Sequence, residues 1–178
     1  MALYSSEQEE RWEAGGEWLI IRPIRPADAA EHDAFFHRLS PEDIRLRFFA
    51  AVRELTPEQL DKFTRLDYDR DMAFIAVREK TGQTVGVARL VREVDQLVAE
   101  FAVIVQHEFQ GRGLATHLML RLLSWAPLHG VREVVGEILA GNVGMIDLAR
   151  DLGFRLRHLP DDQQIVEARL AVAPPSPT

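Results

Sequence analysis

Cysteine is absent from the sequence, and histidine occurs only six times. Without cysteine the chain forms no disulfide, no thiolate-ligated metal site and no cysteine acyl-enzyme. The histidines do not repeat at metal-ligand spacing: His32 and His37 share one predicted helix five positions apart, and the other four are scattered. We therefore predict no metal site, and surface or capping roles for all six histidines.

Long apolar runs and an excess of positive charge are also missing. No stretch approaches the ~20 apolar residues of a membrane-spanning helix, and the N-terminus MALYSSEQEERWEAGGEW is acidic, unlike a secretory signal. With 21 basic and 28 acidic residues, the net charge of -7 disfavours nucleic acid and anionic membranes as partners and favours cationic ones. We expect a cytoplasmic protein, as a monomer or homodimer.

Length and composition indicate one folded domain. The chain has 178 residues, of which 47% are hydrophobic and 28% charged, so it can bury one sizeable core but not two. Residues 1–16 are polar and end in two glycines, and residues 173–178 are rich in proline, which cannot continue a helix or a ladder. We predict a flexible N-terminal segment (1–16), one domain (17–172) and a flexible tail (173–178).

Hydrophobic periodicity along the chain predicts the order of helices and strands. The strand EWLIIRPIR precedes three short helices, two of which begin at Ser40 and Thr56, each followed by proline. An antiparallel meander follows, with strands MAFIAVRE, TVGVARLVRE and LVAEFAVIV and a turn near Asp95 and Gln96. A long helix, a strand, a second helix and two closing strands complete the predicted order.

The stretch EFQGRGLA joins the meander to the long helix. The first amides of that helix have no intrahelical partner, and the helix dipole adds roughly half a positive charge at this end. Gly111 and Gly113 let the backbone approach a bulky anion without a Cβ in the way, so the turn suits a pyrophosphate. A second interpretation stays open, in which the glycines only shape a tight strand-to-helix connection.

Two other nucleotide motifs are excluded. Gly111 and Gly113 begin the dinucleotide pattern G-x-G-x-x-G, but Thr116 does not complete it. That pattern belongs to a parallel βαβ unit, whereas the strand here closes an antiparallel meander. The ATP-binding pattern G-x-x-x-x-G-K-[ST] does not occur.

The segment VIVQHEFQGRGLA resembles motif A of the GNAT (Gcn5-related) N-acetyltransferases. Gln110, Gly113 and Ala115 fill its signature Q/R-x-x-G-x-G/A, and NVGMIDLARDLGF is similar to the second motif, which starts at Asn142. The resemblance covers residues 18–172. It implies an α/β (α+β) GNAT fold, a mixed, mostly antiparallel sheet of six to seven strands that is flanked by helices and splays after the fourth strand, at Val105.

The resemblance also implies acetyl-CoA as cosubstrate and the residues that bind it. The amides of the glycine turn would hold the pyrophosphate, the main chain of the fourth strand would pair with the pantetheine arm, and Asn142 would lie near that arm. The cofactor-binding residues expected on this basis are Val103, Ile104, Val105, Gln110, Gly111, Arg112, Gly113, Leu114, Ala115, Thr116 and Asn142.

More narrowly, LSPEDIRLRFF, AEFAVIV and NVGMIDLARDLGF are similar to the acetyltransferase domain of bacterial protein lysine acetyltransferases of the Pat type. This likeness implies acetyl transfer to an amine, with a protein lysine as the favoured acceptor. Two alternatives stay open: a small-molecule amine as acceptor, or a domain that senses acyl-CoA with little turnover. For Arg45 and Arg47, in the first segment, a solvated helix face is the favoured prediction and the acceptor cleft is the alternative.

Glu100 is the candidate general base. Acetylation needs a neutral amine, and only about one lysine in a thousand is neutral near pH 7.4. A glutamate at this position is the base in the lysine acetyltransferases that the chain resembles, so we predict this role for Glu100. Judged by the strand LVAEFAVIV alone, the favoured interpretation is that Glu100 occupies the solvent face of an alternating strand.

One expected residue is missing. Many GNAT enzymes place a tyrosine seven residues after the motif asparagine to protonate the leaving thiolate, and this chain has Ala149 there. We therefore expect the thiolate to leave unassisted or to take a proton from water. Transfer should be direct, with the thioester carbonyl polarised by a strand amide, that of Val103.

Overall fold

A computed structural model describes residues 2–93 and 97–173, which form one eight-stranded sheet with helices on both faces. The strands are β1 (Glu10–Ala14), β2 (Glu17–Pro23), β3 (Met72–Arg78), β4 (Thr84–Arg92), β5 (Val98–Val105), β6 (Glu133–Leu139), β7 (Arg155–Leu159) and β8 (Asp162–Ala171). Their order in space is β1-β2-β3-β4-β5-β6-β8-β7. All neighbours are antiparallel except β5 and β6, so the predicted mixed, mostly antiparallel sheet is confirmed.

The described residues form five α-helices, with bounds α1 Ala29–Arg38, α2 Pro41–Phe48, α3 Pro57–Thr64, α4 Leu114–Leu128 and α5 Val143–Asp151. The predicted helix starts are confirmed. The Ser40 side chain accepts a hydrogen bond from the Asp43 N–H at 3.0 Å, and Thr56 forms a capping box with Gln59.

The two faces of the sheet carry separate cores. On one face α4 packs against the sheet through its predicted stripe, whose members are all buried: Leu114, Leu118, Leu122 and Trp125. On the other face Phe35 of α1, Ile44 of α2 and Leu55, which precedes α3, are buried against β3 and β4. Strand β5 lies between these cores and contributes side chains to both, since successive side chains of a strand point to opposite faces.

The sheet has eight strands, one more than the upper limit of the six to seven predicted, because Glu10–Ala14 forms β1 within the segment predicted to be flexible. A hairpin at Gly15 and Gly16, both with positive φ, returns this strand onto β2. Its polar alternation gives a weak strand signal in the sequence.

Contacts with α4 stabilise β1. The Trp12 ring stacks on His117 with 4.9 Å between centroids, and Glu10 forms ion pairs with His117 and Arg121. These partners lie about a hundred positions away along the chain, so local pattern does not indicate them.

Two predicted features, the turn near Asp95 and Gln96 and most of the tail (174–178), lie outside the described residues. Among the residues that are described, no helix has the length and apolar character needed to cross a membrane.

Candidate active site

A cleft of about 730 Å³ opens where β5 and β6 part. The two strands pair only over residues 98–100 and 133–135. They therefore diverge after Glu100, whereas the sequence analysis predicted divergence after Val105. On its other edge β6 pairs with β8 over its whole length, from Glu133 to Leu139. Five elements supply the walls of the cleft: β5, the start of α4, the end of β6, α5 and the last turn of α2.

Peptide groups of β5 point alternately towards β4 and into the cleft. At the end of a continuous antiparallel register, the Gln106 N–H donates to the Val85 carbonyl at 2.8 Å. The alternation of such pairs directs the peptide groups of Ile104 to β4 and those of Val103 and Val105 into the cleft. Of the three main-chain positions predicted to pair with the pantetheine arm, Ile104 is therefore already paired within the sheet.

The glycine turn leads directly into α4. Gly111 and Gly113 have φ of 74° and 81°, a region that favours glycine, and a Cβ at either would meet no atom within 4 Å. The conformation of the backbone, and not crowding, thus requires glycine here. The first amide bonded within α4 is that of His117, which donates to the Gly113 carbonyl at 3.0 Å, so the amides of residues 114–116 have no partner inside the helix.

The two side chains beside these glycines have different roles. The Gln110 side chain donates to the Val105 carbonyl at 3.0 Å and to Asp43 Oδ1 at 3.2 Å, and so ties the turn to β5 and α2. Arg112 instead donates to the Ala14 carbonyl at 3.3 Å. Arg112 is the one predicted cofactor-binding residue whose side chain does not line the cleft, because the β1–β2 hairpin binds it.

Asn142 lies on the opposite wall as the N-cap of α5. Its Oδ1 accepts a hydrogen bond from the Met145 N–H at 3.2 Å, which fixes the carboxamide at the cleft surface. Among the described residues its side-chain amino group has no hydrogen-bond acceptor. The residue that the second motif singled out therefore caps a helix and can still donate to a ligand.

Glu100 is the last residue of β5 that pairs with β6, and it reaches solvent at the cleft. It shares a strand face with Ala102 and Ile104, which point towards α2. Partial burial raises the pKa of Glu100, and the negative charges of Glu137 and Glu93 raise it further, while Arg47 opposes them. The carboxylate is consequently a stronger proton acceptor than a fully solvated glutamate.

The sequence analysis missed the contribution of α2. Arg45 is exposed and pairs with Glu42 at 2.8 Å, as predicted for a solvated face. The same prediction is wrong for Arg47, which turns inward behind Phe48 and lines the cleft. Phe49, with φ of 60°, ends the helix at the cleft rim. An arginine in a short polar helix gives no signal of this burial.

The position of the missing tyrosine is not part of the cleft surface. Ala149 is fully buried in the core beneath α5. The chain has two tyrosines, and neither lines the cleft: the Tyr68 hydroxyl donates to the Ile24 carbonyl, and Tyr4 contacts Glu9. No phenol is therefore placed to protonate a thiolate.

Histidine positions differ in part from the prediction. Within residues 2–93 and 97–173 no group of three His, Cys, Asp or Glu is placed to hold a metal ion. His37 and His129 contact carbonyls four residues earlier in their helices, which are capping contacts. His32 is buried, with 8% of its surface exposed, so the predicted surface or capping role is wrong for it. Phe35 and Phe63 surround its ring.

Comparisons with known proteins agree with this geometry. A model of the acetyltransferase (GNAT) domain family matches residues 19–155. Acetyltransferase PA5475 of Pseudomonas aeruginosa is 35% identical over 159 residues, which cover 88% of this chain and 86% of that protein. Acetyltransferase Pat of Mycolicibacterium smegmatis is 30% identical over 139 residues, 78% of this chain but 41% of that protein. The crystal structure of the GNAT domain of S. lividans PAT superimposes with a TM-score of 0.86 over 95% of this chain and 99% of that one, at 25% identity.

Proposed function

Because the chain belongs to the acetyltransferase (GNAT) family, we propose that it transfers an acetyl group directly to the side-chain amine of a protein lysine. Membership establishes the coarser statement, that the protein is an N-acetyltransferase with acetyl-CoA as cosubstrate. One observation carries the proposal: a single cleft joins an unpaired strand edge, the open amides at the start of α4 and the carboxylate of Glu100.

The residues of the cleft fit coenzyme A at both ends. The amides of residues 114–116 and the dipole of α4 suit a diphosphate. The free edge of β5 offers main-chain donors and acceptors to the amides of pantetheine, as it would to an added strand. Asn142 supplies a further donor on the opposite wall. When bound, acetyl-CoA supplies an activated acyl carbon in a thioester.

Glu100 removes the proton from the acceptor in this proposal. Deprotonating a lysine near pH 7.4 costs about 4 kcal/mol, within what a positioned base in a partly desolvated site supplies. The raised pKa of Glu100 brings the base closer to working pH. The ammonium first gives a proton to a carboxylate oxygen of Glu100, the neutral nitrogen then attacks the thioester carbon, and the second nitrogen proton goes to water as the C–S bond breaks.

Backbone geometry supports stabilisation of the negative charge that develops on the carbonyl oxygen of the thioester. The Val103 N–H points into the gap between β5 and β6, where it can donate to the carbonyl oxygen of the thioester. With Ala149 buried and neither tyrosine at the cleft, the thiolate takes its proton from water. Transfer is direct, since the chain has no cysteine to carry an acyl group.

Charge supports a lysine acceptor. Five carboxylates line the cleft, and they favour a cationic side chain over a neutral one: Asp43, Glu100, Glu137, Asp147 and Asp151. The net charge of -7 acts in the same direction at longer range. The likeness to the GNAT domain of S. lividans PAT is the second support for a Pat-type acceptor.

The test compares two carboxylates of the same cleft. Glu100→Gln should lower kcat at least ~100-fold and leave the Kd for acetyl-CoA within about twofold, because only the proton acceptor is lost. Glu137→Gln, the matched control, should keep most of the activity. Free CoA is followed with a panel of lysine-bearing proteins, lysine peptides and polyamines.

The panel distinguishes the acceptor classes. Release of CoA that depends on a protein or peptide lysine supports the proposal, and release with small amines alone would replace it. Acetyl-CoA binding without release for any acceptor would leave the acyl-CoA-sensing alternative. Unchanged turnover in Glu100→Gln would remove Glu100 as the base.

A further inference from the structure

A second cavity, of about 30 Å³, lies behind β5 under the three short helices. Its walls are mostly apolar, but three polar side chains enter it: His32 from α1, Arg47 from α2 and Arg89 from β4. Phe48, Ala102 and Ile104 line both this cavity and the cleft, and so does Arg47. We call the three polar residues the cationic cluster.

Arg89 is the most enclosed cation of the cluster, with 6% of its surface exposed. One guanidinium nitrogen donates to the Phe63 carbonyl at 3.3 Å, and the group lies 4.5 Å from the centre of the Phe63 ring. Burial, and then the charge of Arg47, lowers the pKa of Arg89 to about 9. The residue therefore stays cationic at pH 7 in a site that is unfavourable for a charge.

Arg47 connects the cluster to the cleft. Its guanidinium lies 4.6 Å from the centre of the Phe48 ring. Arg47 and Glu100 both line the cleft. Burial lowers the pKa of Arg47, and the negative charge of Glu100 raises it. Two arginines thus repel each other beneath the strand face that carries the candidate base.

His32 completes the cluster as a neutral donor. Burial, and then the charge of Arg89, lowers the pKa of His32 to about 4, so the ring is uncharged at pH 7. Its Nδ1 is buried and has no hydrogen-bond partner among the described residues. A buried nitrogen without a partner is costly unless a ligand or water satisfies it.

Among the described residues, Glu100 acts on Arg47 and Asp28 acts on His32 only from beyond ion-pair distance, so neither arginine has an ion-pair partner. No carboxylate oxygen lies within ion-pair distance of Arg47 or Arg89, whereas the half-buried Arg22 binds Asp28 through two hydrogen bonds at 2.7 and 2.8 Å. Buried charges in proteins are normally paired. We infer that the cationic cluster is a subsite for a carboxylate group of a reactant that occupies the cleft beside Glu100.

The inference rests on the acyl transfer of the proposed function and not on its lysine acceptor, because the reactants of an acyl transfer supply the carboxylate. Two reactants can carry it: the acyl chain of a dicarboxylic acyl-CoA, or an amino-acid acceptor. A cavity of about 30 Å³ admits a carboxylate and little more. With the first source the reaction is unchanged: the C–N bond forms, the C–S bond breaks, Glu100 takes the amine proton and CoA leaves as the thiolate.

The acyl arm of the test compares succinyl-CoA with butyryl-CoA, which has the same number of acyl carbons and a methyl in place of the carboxylate. Calorimetric titration of the full chain should give at least ~10-fold tighter binding of succinyl-CoA, as expected for one charge-assisted contact. Arg47→Gln and Arg89→Gln should bring that ratio close to one. Arg45→Gln, an exposed arginine on the same helix, should leave it unchanged.

The acceptor arm uses acetyl-CoA and compares kcat/KM for free amino acids with that for their amides. A kcat/KM about tenfold or more higher for the free amino acids, with this preference lost in Arg47→Gln, identifies an amino-acid acceptor as the source of the carboxylate. Ratios near one in both arms overturn the subsite, and so does a ratio that survives both arginine substitutions. If Arg89→Gln does not fold, Arg47→Gln, which is only half-buried, decides.

The same titrations distinguish the two proposals. Normal acetyl-CoA binding and turnover, with ratios near one, would overturn the subsite and leave the proposed function intact. A wild-type chain that binds no acyl-CoA would contradict both.

Discussion

The two faces of β5 differ in how their functional groups are assembled. One side, which we call the donor side, holds the groups proposed to bind acetyl-CoA. There residues 98–116 form one continuous stretch that supplies the free strand edge, the glycine turn and the first amides of α4. The other side, which we call the acceptor side, is the strand face that carries Glu100. There the cationic cluster and the helices that cover it come from α1, α2, α3 and β4, tens of residues apart. The donor side is local in sequence, and the acceptor side exists only once the helices pack.

The largest effect on stability is expected from a substitution at Ala149, the position where many GNAT enzymes have a tyrosine. Ala149 is fully buried in the donor-side core, so Ala149→Tyr should overpack it and lower the free energy of unfolding by about 3 kcal/mol without raising kcat. Thermal unfolding and CoA release measure the two effects. Val143→Tyr, at an exposed position of the same helix, is the control and should unfold as the wild type does. Higher kcat with unchanged stability would show that this position faces the cleft.

A pair of glycines tests whether the donor turn binds a ligand or only shapes a connection. Gly111 and Gly82 both have φ of 74° and open space for a Cβ, but Gly82 lies in a hairpin distant from the cleft. Alanine at either should cost about 1 kcal/mol of stability. Gly111→Ala alone should also weaken acetyl-CoA binding, by ~10-fold, in titration calorimetry. Equal affinities in the two variants would favour the purely structural interpretation.

The smallest effect concerns the charges around Glu100, where the two sides meet. If ionised Glu100 is the base, the acid limb of kcat/KM follows its pKa. Glu137→Gln removes a charge that raises this pKa and should move the limb to lower pH, whereas Arg47→Gln removes one that lowers it and should move the limb to higher pH. A pH series of initial rates measures both, with Arg45→Gln as control. Shifts in the same direction would contradict the assignment.

The parts of the fold that sequence predicted are those with local causes. Ser40 and Thr56 cap their helices through side chains three residues from their partners, and the stripe on α4 follows from helical spacing alone. Seven of the eight strands, and the element order, follow from periodicity in the same way. The candidate cleft residues of β5 and the glycine turn could be predicted because they form one contiguous stretch that resembles motif A of the GNAT enzymes.

The parts that sequence missed depend on contacts between distant segments. Strand β1 is held by α4, and the inward turn of Arg47 and the burial of His32 follow from packing three short helices over β4 and β5. The divergence of β5 and β6 after Glu100 involves two strands that α4 separates along the chain. In each case one segment alone carries no signal, because the partner that decides its environment is far away in the chain.

The most direct test of the central claim is a crystal structure of the protein with acetyl-CoA. The account predicts diphosphate oxygens within ~3 Å of the amides of residues 114–116, and the thioester carbonyl at the Val103 N–H with Glu100 facing the acyl carbon. Coenzyme A bound away from the start of α4, or a thioester distant from Glu100, would contradict it.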